Sequence, residues 1–290
     1  MKIDRLLLKL PEDARDAIGL AAAAAEDSGG RIFLVGGCVR DLLLRADSYD
    51  LDFVVEGDGM KTARKLAVLL KGNVVHHHRF GTATVAHGGL KVDVATARTE
   101  TYPVPASLPS VKPGTIGDDL YRRDFTINAM AASINDGDFG RLIDTFGGLS
   151  DLKAGKIRVL HKESFIDDPT RILRAVRFEQ RYGFRIEPRT LSLLKKSAGA
   201  GMLHSVHPHR LRDELLLMLK EKSPCRQLRR LERTAGLDFL HPRVSLGREE
   251  CSLFRRVPAR DAWFSLRLPH RRRPDIWVVN LIINLDALTA

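Results

Sequence analysis

The sequence predicts an α+β fold in which a small mixed α/β domain precedes an all-helical region. Strands and helices alternate between residues 31 and 98, which is typical of a sheet covered by helices on one side. From Asp168 onward every periodic segment is helical, and each begins near a proline or an aspartate. We expect the two regions to meet near residue 160.

The elements of the first region follow from its apolar periodicity. A helix over 11–26 opens it and a short strand over 141–146 closes it. Before that strand the pattern predicts a helix over 118–134. Residues 99–118 contain four prolines and two glycines, which predicts a long loop. The other predicted strands are 31–37, 50–55, 73–80, 82–89 and 91–98, and the helices between them are 39–44 and 60–70.

The second region reads as a series of helices. Their predicted ranges are 168–184, 187–198, 207–220, 224–236, 251–268 and 273–288. We divide the chain into a first domain over 1–160, a helical domain over 161–245 and a partial helical domain over 246–290.

The positive charge lies entirely in the second half of the chain. The formal net charge is +11, yet residues 1–160 contain 21 basic and 21 acidic residues, against 26 and 15 in residues 161–290. Such a distribution favours a polyanionic partner, nucleic acid above all, for the helical half. A basic protein without such a partner is the alternative.

Cysteine and apolar patterns indicate the compartment. The three cysteines are far apart and have no metal-like spacing, which favours a reducing compartment without disulfides. The most apolar tract, 276–288, is short and contains polar residues, so no membrane span is predicted. We expect a cytoplasmic protein.

Two carboxylates open the strand "DLDFVV". Asp50 and Asp52 are two residues apart and so share a face of that strand. They repel each other unless a cation lies between them, and carboxylate oxygens are the ligands that Mg²⁺ prefers. Asp93 in "KVDVAT" is either a third carboxylate of this site or an ordinary edge position. The alternative for the pair is a turn cap at Asp50 and a solvent-facing Asp52.

A glycine pair ends the preceding strand in "LVGGCVRD". Gly36 and Gly37 allow the backbone to approach a ligand closely, and the N–H groups at the following helix start favour phosphate. Arg40, one turn into that helix, can pair with phosphate oxygens.

Four ordered motifs carry a resemblance: "FLVGGCVRDLLL" with "DLDFVV", "LYRRDFTINAMA" and "DDPTRILRAVRFEQRYGF". Together they resemble the class II tRNA nucleotidyltransferase and bacterial poly(A) polymerase family, strongly over residues 30–190 and loosely beyond. The resemblance implies a polymerase-beta-like nucleotidyltransferase head that binds two Mg²⁺ and a nucleoside triphosphate. It also implies an all-helical neck that reads the base and a body that holds tRNA.

The resemblance assigns residues to these roles. Asp50 and Asp52 would hold the metals, and Arg123 and Asp124 would contact the nucleotide, with Asp124 near the ribose. Asn128 would share a helical face with Asp124, one turn away, although Asp124 is alternatively a residue of the helix start. The resemblance further implies that Gly37 and Arg40 contact the triphosphate and that Asp168 and Arg171 contact the base. It also implies that Arg174 and Arg177 support the nucleotide.

Base selection follows from hydrogen-bond chemistry at Asp168 and Arg171. The carboxylate accepts and the guanidinium donates, which matches the pairing edges of cytosine and adenine and mismatches uracil and guanine. Alternatively, Asp168 before Pro169 is a helix N-cap.

These expectations lead to one reaction with alternatives. The predicted activity is template-independent transfer of CMP or AMP from CTP or ATP to the 3′ end of tRNA, as full CCA addition or as CC or A addition alone. A poly(A) polymerase and a non-catalytic basic RNA-binding module are the alternatives. Among the tRNA activities, "DDPTRILRAVRFEQRYGF" resembles A-adding members more than full CCA enzymes. The chain ends at Ala290 beside an apolar helix, so either that helix packs on the body or the chain is a truncated form with an exposed apolar face. We expect weakened tRNA binding or self-association.

Overall fold

The computed structural model describes residues 1–46, 50–77, 81–240 and 246. The helices predicted over 251–268 and 273–288, and with them the apolar face expected near Ala290, lie outside the described residues.

The chain divides into two compact units. The first, here called the sheet unit, comprises residues 1–103, 109–154 and 158–160. The second, the helical unit, comprises residues 104–108, 155–157 and the described residues from 161 onward.

A seven-stranded mixed sheet forms the centre of the sheet unit. Its strand order is β3-β4-β5-β2-β1-β8-β9, with β2 and β5 parallel and the other pairs antiparallel. The strands are β1 (Arg31–Val35), β2 (Leu51–Glu56), β3 (Asn73–His77), β4 (Thr82–His87), β5 (Leu90–Thr96), β8 (Ala131–Ser133) and β9 (Leu142–Ile143), and a separate hairpin pairs β6 (Arg98–Thr101) with β7 (Ser110–Pro113).

Helices bury this sheet. The α-helices of the unit are α1 (Asp4–Leu7), α2 (Glu12–Glu26), α3 (Gly37–Leu44), α4 (Gly59–Leu69), α5 (Ile116–Tyr121) and α6 (Gly148–Lys153). Helices α2 and α4 pack on each other, and α4 lies on β4 and β5. Phe33, Val35 and Val54 instead form a cluster with Ile116 and Leu120 of α5.

Both faces of the sheet are covered at its centre. Successive residues of β1 point to opposite faces, and those from Ile32 to Val35 are all buried. The expectation of a sheet covered on one side is wrong at the centre, where α5 and its neighbours cover the second face, but it holds at the edge, where β3 and β4 alternate between more and less buried residues.

The helical unit consists of short packed helices. Its elements are α7 (Ser164–Asp167), α8 (Arg171–Tyr182), α9 (Pro188–Gly199), α10 (Pro208–Leu219) and α11 (Pro224–Ala235), with a two-residue parallel pair of β10 (Lys156–Ile157) and β11 (Arg185–Ile186). Helix α8 packs against α10 and α11. The predicted α+β class, a mixed sheet unit followed by a helical unit, is confirmed.

Two predicted elements are wrong. The loop expected over 99–118 contains the β6–β7 hairpin and the start of α5, whose first turn is closed by a capping box between Thr115 and Asp118. The helix expected over 118–134 ends at Tyr121, and the chain continues through a 3₁₀ turn over Thr126–Asn128 into β8. Pairing of β8 with β1 overrides the helical propensity of its small residues.

Cys38 is free and buried, and Cys251 lies outside the described residues. None of the helices in the described ranges has the length and apolar character needed to cross a membrane.

Candidate active site

Sheet register brings two of the predicted carboxylates together. Asp52 is the second residue of β2, and Asp93 is its register partner on the parallel strand β5. Such partners lie on the same face of neighbouring strands, about 4.8 Å apart at the backbone. Asp50 directly precedes β2 and is exposed, so the strand begins one residue later than predicted. Thr84 on β4 donates to Oδ1 of Asp93 at 2.5 Å.

The charge around Asp52 is not balanced. Burial raises the pKa of Asp52 to about 6; the charge of Arg123 lowers it, and those of Asp93 and Asp50 raise it further. A carboxylate held near two others in a partly buried position is an environment that a cation stabilises. The atoms that these three residues offer to a metal ion are all carboxylate oxygens, which are the ligands that Mg²⁺ prefers.

The protein supplies a pair of carboxylates rather than a closed cage. Within the described ranges, no group of three His, Cys, Asp or Glu side chains is placed to hold a metal ion by itself. Mg²⁺ usually keeps several waters and completes its octahedron with substrate phosphates, so an open site of this kind suits it.

The glycine turn lies beside these acids. Leu34 of β1 pairs with Phe53 of β2, and this register puts Gly36 next to the start of β2. Gly36 has φ +65°, which favours glycine, and a Cβ there would lie 2.2 Å from Nη1 of Arg123. The absent side chain is thus what allows Arg123 to approach the turn. Gly37 begins the eight-residue helix α3, whose first N–H groups suit an anion.

Asp119 fixes Arg123 and was missed by sequence reasoning. Its carboxylate is fully buried and accepts from Arg123 Nη2 at 2.9 Å, and from Nε and Nη2 of Arg122 at 2.9 and 2.7 Å. Burial raises the pKa of Asp119, but the charges and hydrogen bonds of the two arginines outweigh it and hold the pKa below its ordinary value. An acid three and four residues before an arginine pair is the sequence signal that indicates such an arrangement.

Arg40, Asn128 and Asp124 form a buried chain of hydrogen bonds. Arg40 makes two bonds to the Asp41 carboxylate, at 2.9 and 2.8 Å, and donates to Oδ1 of Asn128 at 2.5 Å. Asn128 in turn donates to Oδ1 of Asp124 at 2.9 Å. Asp124 and Asn128 therefore contact each other, but across a 3₁₀ turn and not along the predicted helix. Arg40 is engaged with protein groups, which favours an orienting role over direct contact with phosphate.

The buried thiol of Cys38 lies under the acidic site. Burial raises the pKa of Cys38 to about 12, and the charges of Asp52, Asp41 and Asp50 add to this effect. The thiol stays protonated at neutral pH and is neither a nucleophile nor a metal ligand there.

In the helical unit, Asp168 is held through one of its two oxygens. Oδ1 accepts from the backbone N–H of Thr170 at 3.0 Å, from its hydroxyl at 2.6 Å and from Arg210 Nη2 at 2.7 Å. The alternative that Asp168 is the helix N-cap is wrong, because the N-cap of α8 is Thr170; Asp168 instead accepts from Thr170 in the turn before the helix. Its Oδ2 accepts no hydrogen bond within the described part of the chain, which leaves it available to a ligand. Arg210, which also binds the Ala106 carbonyl at 3.1 Å, was not predicted.

The three predicted arginines of α8 contact protein groups. Arg171 is buried and donates to Ser164 Oγ at 2.6 Å. Arg174 and Arg177 both contact Glu214 on α10, at 3.3 and 3.4 Å. Glu214, which sequence reasoning also missed, thereby links α8 to α10.

The chain resembles a set of nucleotide-transferring enzymes. The A-adding tRNA nucleotidyltransferase of Geobacter sulfurreducens is 43% identical over 258 residues, which cover 89% of this chain and 29% of that protein. The corresponding A-adding protein of Aquifex aeolicus is 51% identical over 191 residues, covering 66% and 23%. The CC-adding tRNA nucleotidyltransferase of Deinococcus radiodurans is 37% identical over 223 residues, covering 77% and 58%.

Solved structures agree with these relatives. An apo form of a CCA-adding enzyme superposes with a TM-score of 0.85 and 42% identity, covering 94% of this chain and 65% of that chain. A tRNA nucleotidyltransferase complexed with a primer tRNA and an incoming ATP analogue superposes with a TM-score of 0.75 and 38% identity, covering 91% and 75%.

Family models cover most of both units. The poly A polymerase head domain matches residues 32–158, and the probable RNA and SrmB-binding site of polymerase A matches residues 183–246. Together with the solved structures, these matches show that the chain belongs to the poly(A) polymerase and tRNA nucleotidyltransferase family. Members of this family are in general magnesium-dependent nucleotidyltransferases. The chain spans less than a third of the Geobacter and Aquifex relatives.

We expect a pH-dependent stability difference between the metal-free protein and its Asp52→Asn variant. The folded-state pKa of Asp52 lies above its ordinary value of 3.8. The contribution of Asp52 to the free energy of unfolding is therefore fully present below about pH 4 and is lost as the pH rises through about 6. Between pH 4 and 7 the wild type should lose about 2–3 kcal/mol of unfolding free energy relative to the variant. Urea unfolding of both proteins in EDTA measures this, and a constant difference across that range would contradict it.

Proposed function

We propose that this chain is a template-independent nucleotidyltransferase that adds AMP or CMP from ATP or CTP to the 3′ end of tRNA and releases pyrophosphate. The proposal rests on the unbalanced carboxylates Asp52, Asp93 and Asp50 beside the Gly36 turn and Arg123. Three neighbouring carboxylates, with Lys91 3.9 Å from Asp93, and a guanidinium fixed beside the glycine turn suit a metal-bound triphosphate.

Each of the predicted site residues in the sheet unit has a role in this proposed reaction. We assign two Mg²⁺ to Asp50 and Asp52, and bound metal lowers the pKa of an attacking hydroxyl and neutralises phosphate charge. Asp93, held by Thr84, keeps a third carboxylate beside Asp52. Arg123, fixed by Asp119, faces the triphosphate and stabilises the charge that develops on the leaving pyrophosphate.

The sugar and phosphates are oriented by backbone and buried polar groups. The N–H groups that follow Gly36 and Gly37 at the start of α3 bind phosphate oxygens. Asp124 receives the ribose, and Arg40 acts through Asn128 to fix the orientation of the Asp124 carboxylate. A fixed carboxylate is needed because a mispositioned ribose would move the reacting phosphate out of line.

The helical unit selects the base. Oδ2 of Asp168 accepts from the exocyclic amino group that adenine and cytosine share, and Arg171 or Arg210 donates to the neighbouring ring nitrogen. Arg174 and Arg177 support this arrangement through Glu214. Uracil and guanine place a carbonyl opposite the carboxylate and leave polar groups unpaired, which is costly in a dry site.

A-addition is the product we propose first. The A-adding relatives are 43% and 51% identical, against 37% for the CC-adding relative. Poly(A) synthesis on other RNA 3′ ends is the second candidate, because the head-domain match is to poly A polymerase. An inert basic RNA-binding module conflicts with the environment of Asp52, which favours a bound cation.

Nucleotide incorporation distinguishes these candidates. Wild-type protein with Mg²⁺ should extend tRNA ending in CC by one A and leave tRNA lacking CC and unrelated RNA unextended. Asp52→Ala should lower the rate at least about a thousandfold, because it removes a group that stabilises charge in the transition state. Normal incorporation by Asp52→Ala would rule out the mechanism, and product sequencing showing CCA or long A tails would replace A-addition by the corresponding alternative.

Asp168→Asn tests base selection separately. The amide presents both a donor and an acceptor, so the preference for ATP over GTP should fall at least about tenfold while total incorporation with ATP falls less. Asp213→Asn, an exposed carboxylate on α10 that pairs with Arg212, serves as the matched control. Competition between the two nucleotides in one reaction gives the ratio, and an unchanged ratio in Asp168→Asn would refute the assignment.

We further propose that the chain comprises a head domain over 1–160, a helical neck and body over 161–245 and a partial body over 246–290. We also propose that the protein acts in the cytoplasm, where tRNA is processed. The three widely spaced cysteines favour a reducing compartment. Thiol alkylation after cell fractionation decides this: reduced Cys225 in the cytoplasmic fraction supports the proposal, and a bonded Cys225 outside that fraction contradicts it.

A further inference from the structure

One side-chain contact in the helical unit links Asp168 to a helix far along the chain. Arg210 lies near the start of α10, 42 residues after Asp168, and its Nη2 donates to Oδ1 of that carboxylate at 2.7 Å. The side chains of Arg210 and Asp168 are only 24% and 19% exposed. A hydrogen bond between charged groups with so little solvent around it is strong and directional, so it fixes the carboxylate more firmly than an exposed pair would.

The other end of the Arg210 guanidinium is held by the backbone of the same unit. Its Nη1 donates to the Ala106 carbonyl at 3.1 Å. Ala106 is 6% exposed, and its own N–H donates to the Ile166 carbonyl of α7 at 3.1 Å. Its φ of +61° is a left-handed conformation that is costly for alanine, so the contacts around it must hold it in place. The acceptor of Nη1 is therefore a fixed point beside α7.

Two separate elements thus anchor the Asp168 carboxylate. Thr170, two residues further on, donates to Oδ1 through its backbone N–H at 3.0 Å and through its hydroxyl at 2.6 Å. Arg210 adds a donor to the same oxygen from α10. A guanidinium is planar, so acceptors fixed at both of its ends define its orientation. Rotation of the Asp168 carboxylate would break these bonds, and the direction of Oδ2 is therefore set by Arg210 together with Thr170.

The packing of α10 on α8 places Arg210 for this contact. Arg210 and Glu214 are four residues apart on α10 and so share one face of that helix. Glu214 uses this face to contact Arg174 and Arg177 of α8. The face of α10 that packs on α8 therefore also presents Arg210 to the turn that precedes α8. The direction of the Asp168 carboxylate is in this way tied to the packing of two helices.

We infer that Arg210 is a positioning residue for base selection, which acts through Asp168 by fixing the direction of Oδ2 and does not itself contact the base. The inference rests on the base selection proposed above and deepens it. Both terminal nitrogens of Arg210 donate to protein acceptors, which leaves Arg171 as the donor to the ring nitrogen. A carboxylate oxygen held in one direction accepts from the amino group of adenine or cytosine and rejects the carbonyl of guanine or uracil.

Competition between ATP and GTP in one incorporation reaction of the full chain tests this role. Arg210→Gln removes the charge and the planar fork, and Arg210→Lys keeps the charge but has a single nitrogen that cannot hold both acceptors in the same geometry. Both variants should lower the preference for ATP at least about fivefold. Arg212→Gln, which changes the exposed arginine two residues further on that pairs with Asp213, is the matched control and should change it less than about twofold. A wild-type ratio in either Arg210 variant would overturn the inference.

Two ATP analogues separate positioning from direct contact and from general damage. Purine riboside triphosphate lacks the amino group that Oδ2 accepts from, and 1-deaza-ATP keeps that group but lacks the ring nitrogen. Arg210→Gln should lower kcat/KM about tenfold for ATP and for 1-deaza-ATP, and less than about twofold for purine riboside triphosphate, because the last has no contact with Oδ2 to lose. A loss that disappears with 1-deaza-ATP would make Arg210 a base contact, and an equal loss with all three would make its role structural. Either result would overturn the inference.

Comparison with Asp168→Asn separates this inference from the proposed function. An unchanged ATP preference in Asp168→Asn would contradict base selection by that residue, whereas a loss there without a loss in Arg210→Gln would overturn the role of Arg210 alone. The double variant should match Asp168→Asn within about twofold, since residues that act through one another are not additive.

Thr170→Val keeps the test decisive if the Arg210 variants fail to fold. It retains the shape of the side chain and removes one donor to the same oxygen, so the ATP preference should fall at least about threefold. An unchanged ratio in a folded Thr170→Val protein would overturn the claim that anchoring of Oδ1 directs Oδ2.

Discussion

The buried carboxylate of Asp119 is the constraint on which the rest of the sheet unit's site depends. It holds the guanidinium groups of Arg122 and Arg123 at once, and it stays ionised because their charges outweigh the cost of burial. Arg123 is then fixed against the Gly36 turn, and its charge acts on Asp52. Without Asp119, the partly buried Arg123 would lose the carboxylate that it contacts, whereas Arg122 would keep its ion pair with Glu100 at 3.1 Å. Leaving a partly buried charge without its partner is far more costly than losing an exposed pair.

In the helical unit, carboxylates likewise hold the side chains of arginines. Glu214 accepts from Arg174 and Arg177, and Asp168 accepts from Arg210. In each case one carboxylate connects neighbouring helices and fixes the direction of the arginines around it. Asp168 differs in that its bonds are all on Oδ1. A single carboxylate can therefore be anchored through one oxygen and present the other in a fixed direction, as the base selection proposed above requires.

Much of the sheet could be predicted because its strands are buried and continuous in sequence. The apolar runs around Phe33 and Phe53 indicate strands without ambiguity, and the position of Asp52 at the start of such a run pointed to a site. The β6–β7 hairpin was missed because its prolines obscure any period. Strand β8 was missed because small residues after Asn128 suit a helix, and pairing with β1 decides otherwise.

Side-chain partners were harder to predict than elements. Asp119 is close in sequence to the arginines it holds, and its spacing was a usable signal. Arg210 is 42 residues from Asp168 and Glu214 is 40 from Arg174, so both contacts depend on how α10 packs beside α8. No local pattern specifies such pairs. The proximity of Asp124 and Asn128 was anticipated from helical spacing, although the backbone between them contains a 3₁₀ turn.

The buried thiol of Cys38 has a practical consequence. Alkylating reagents react with thiolates, and in the folded state Cys38 is both inaccessible and held in its protonated form. Its labelling rate at neutral pH therefore measures how often the protein opens around the acidic strand, on the timescale of local unfolding. One native residue thus serves as a built-in reporter of that opening.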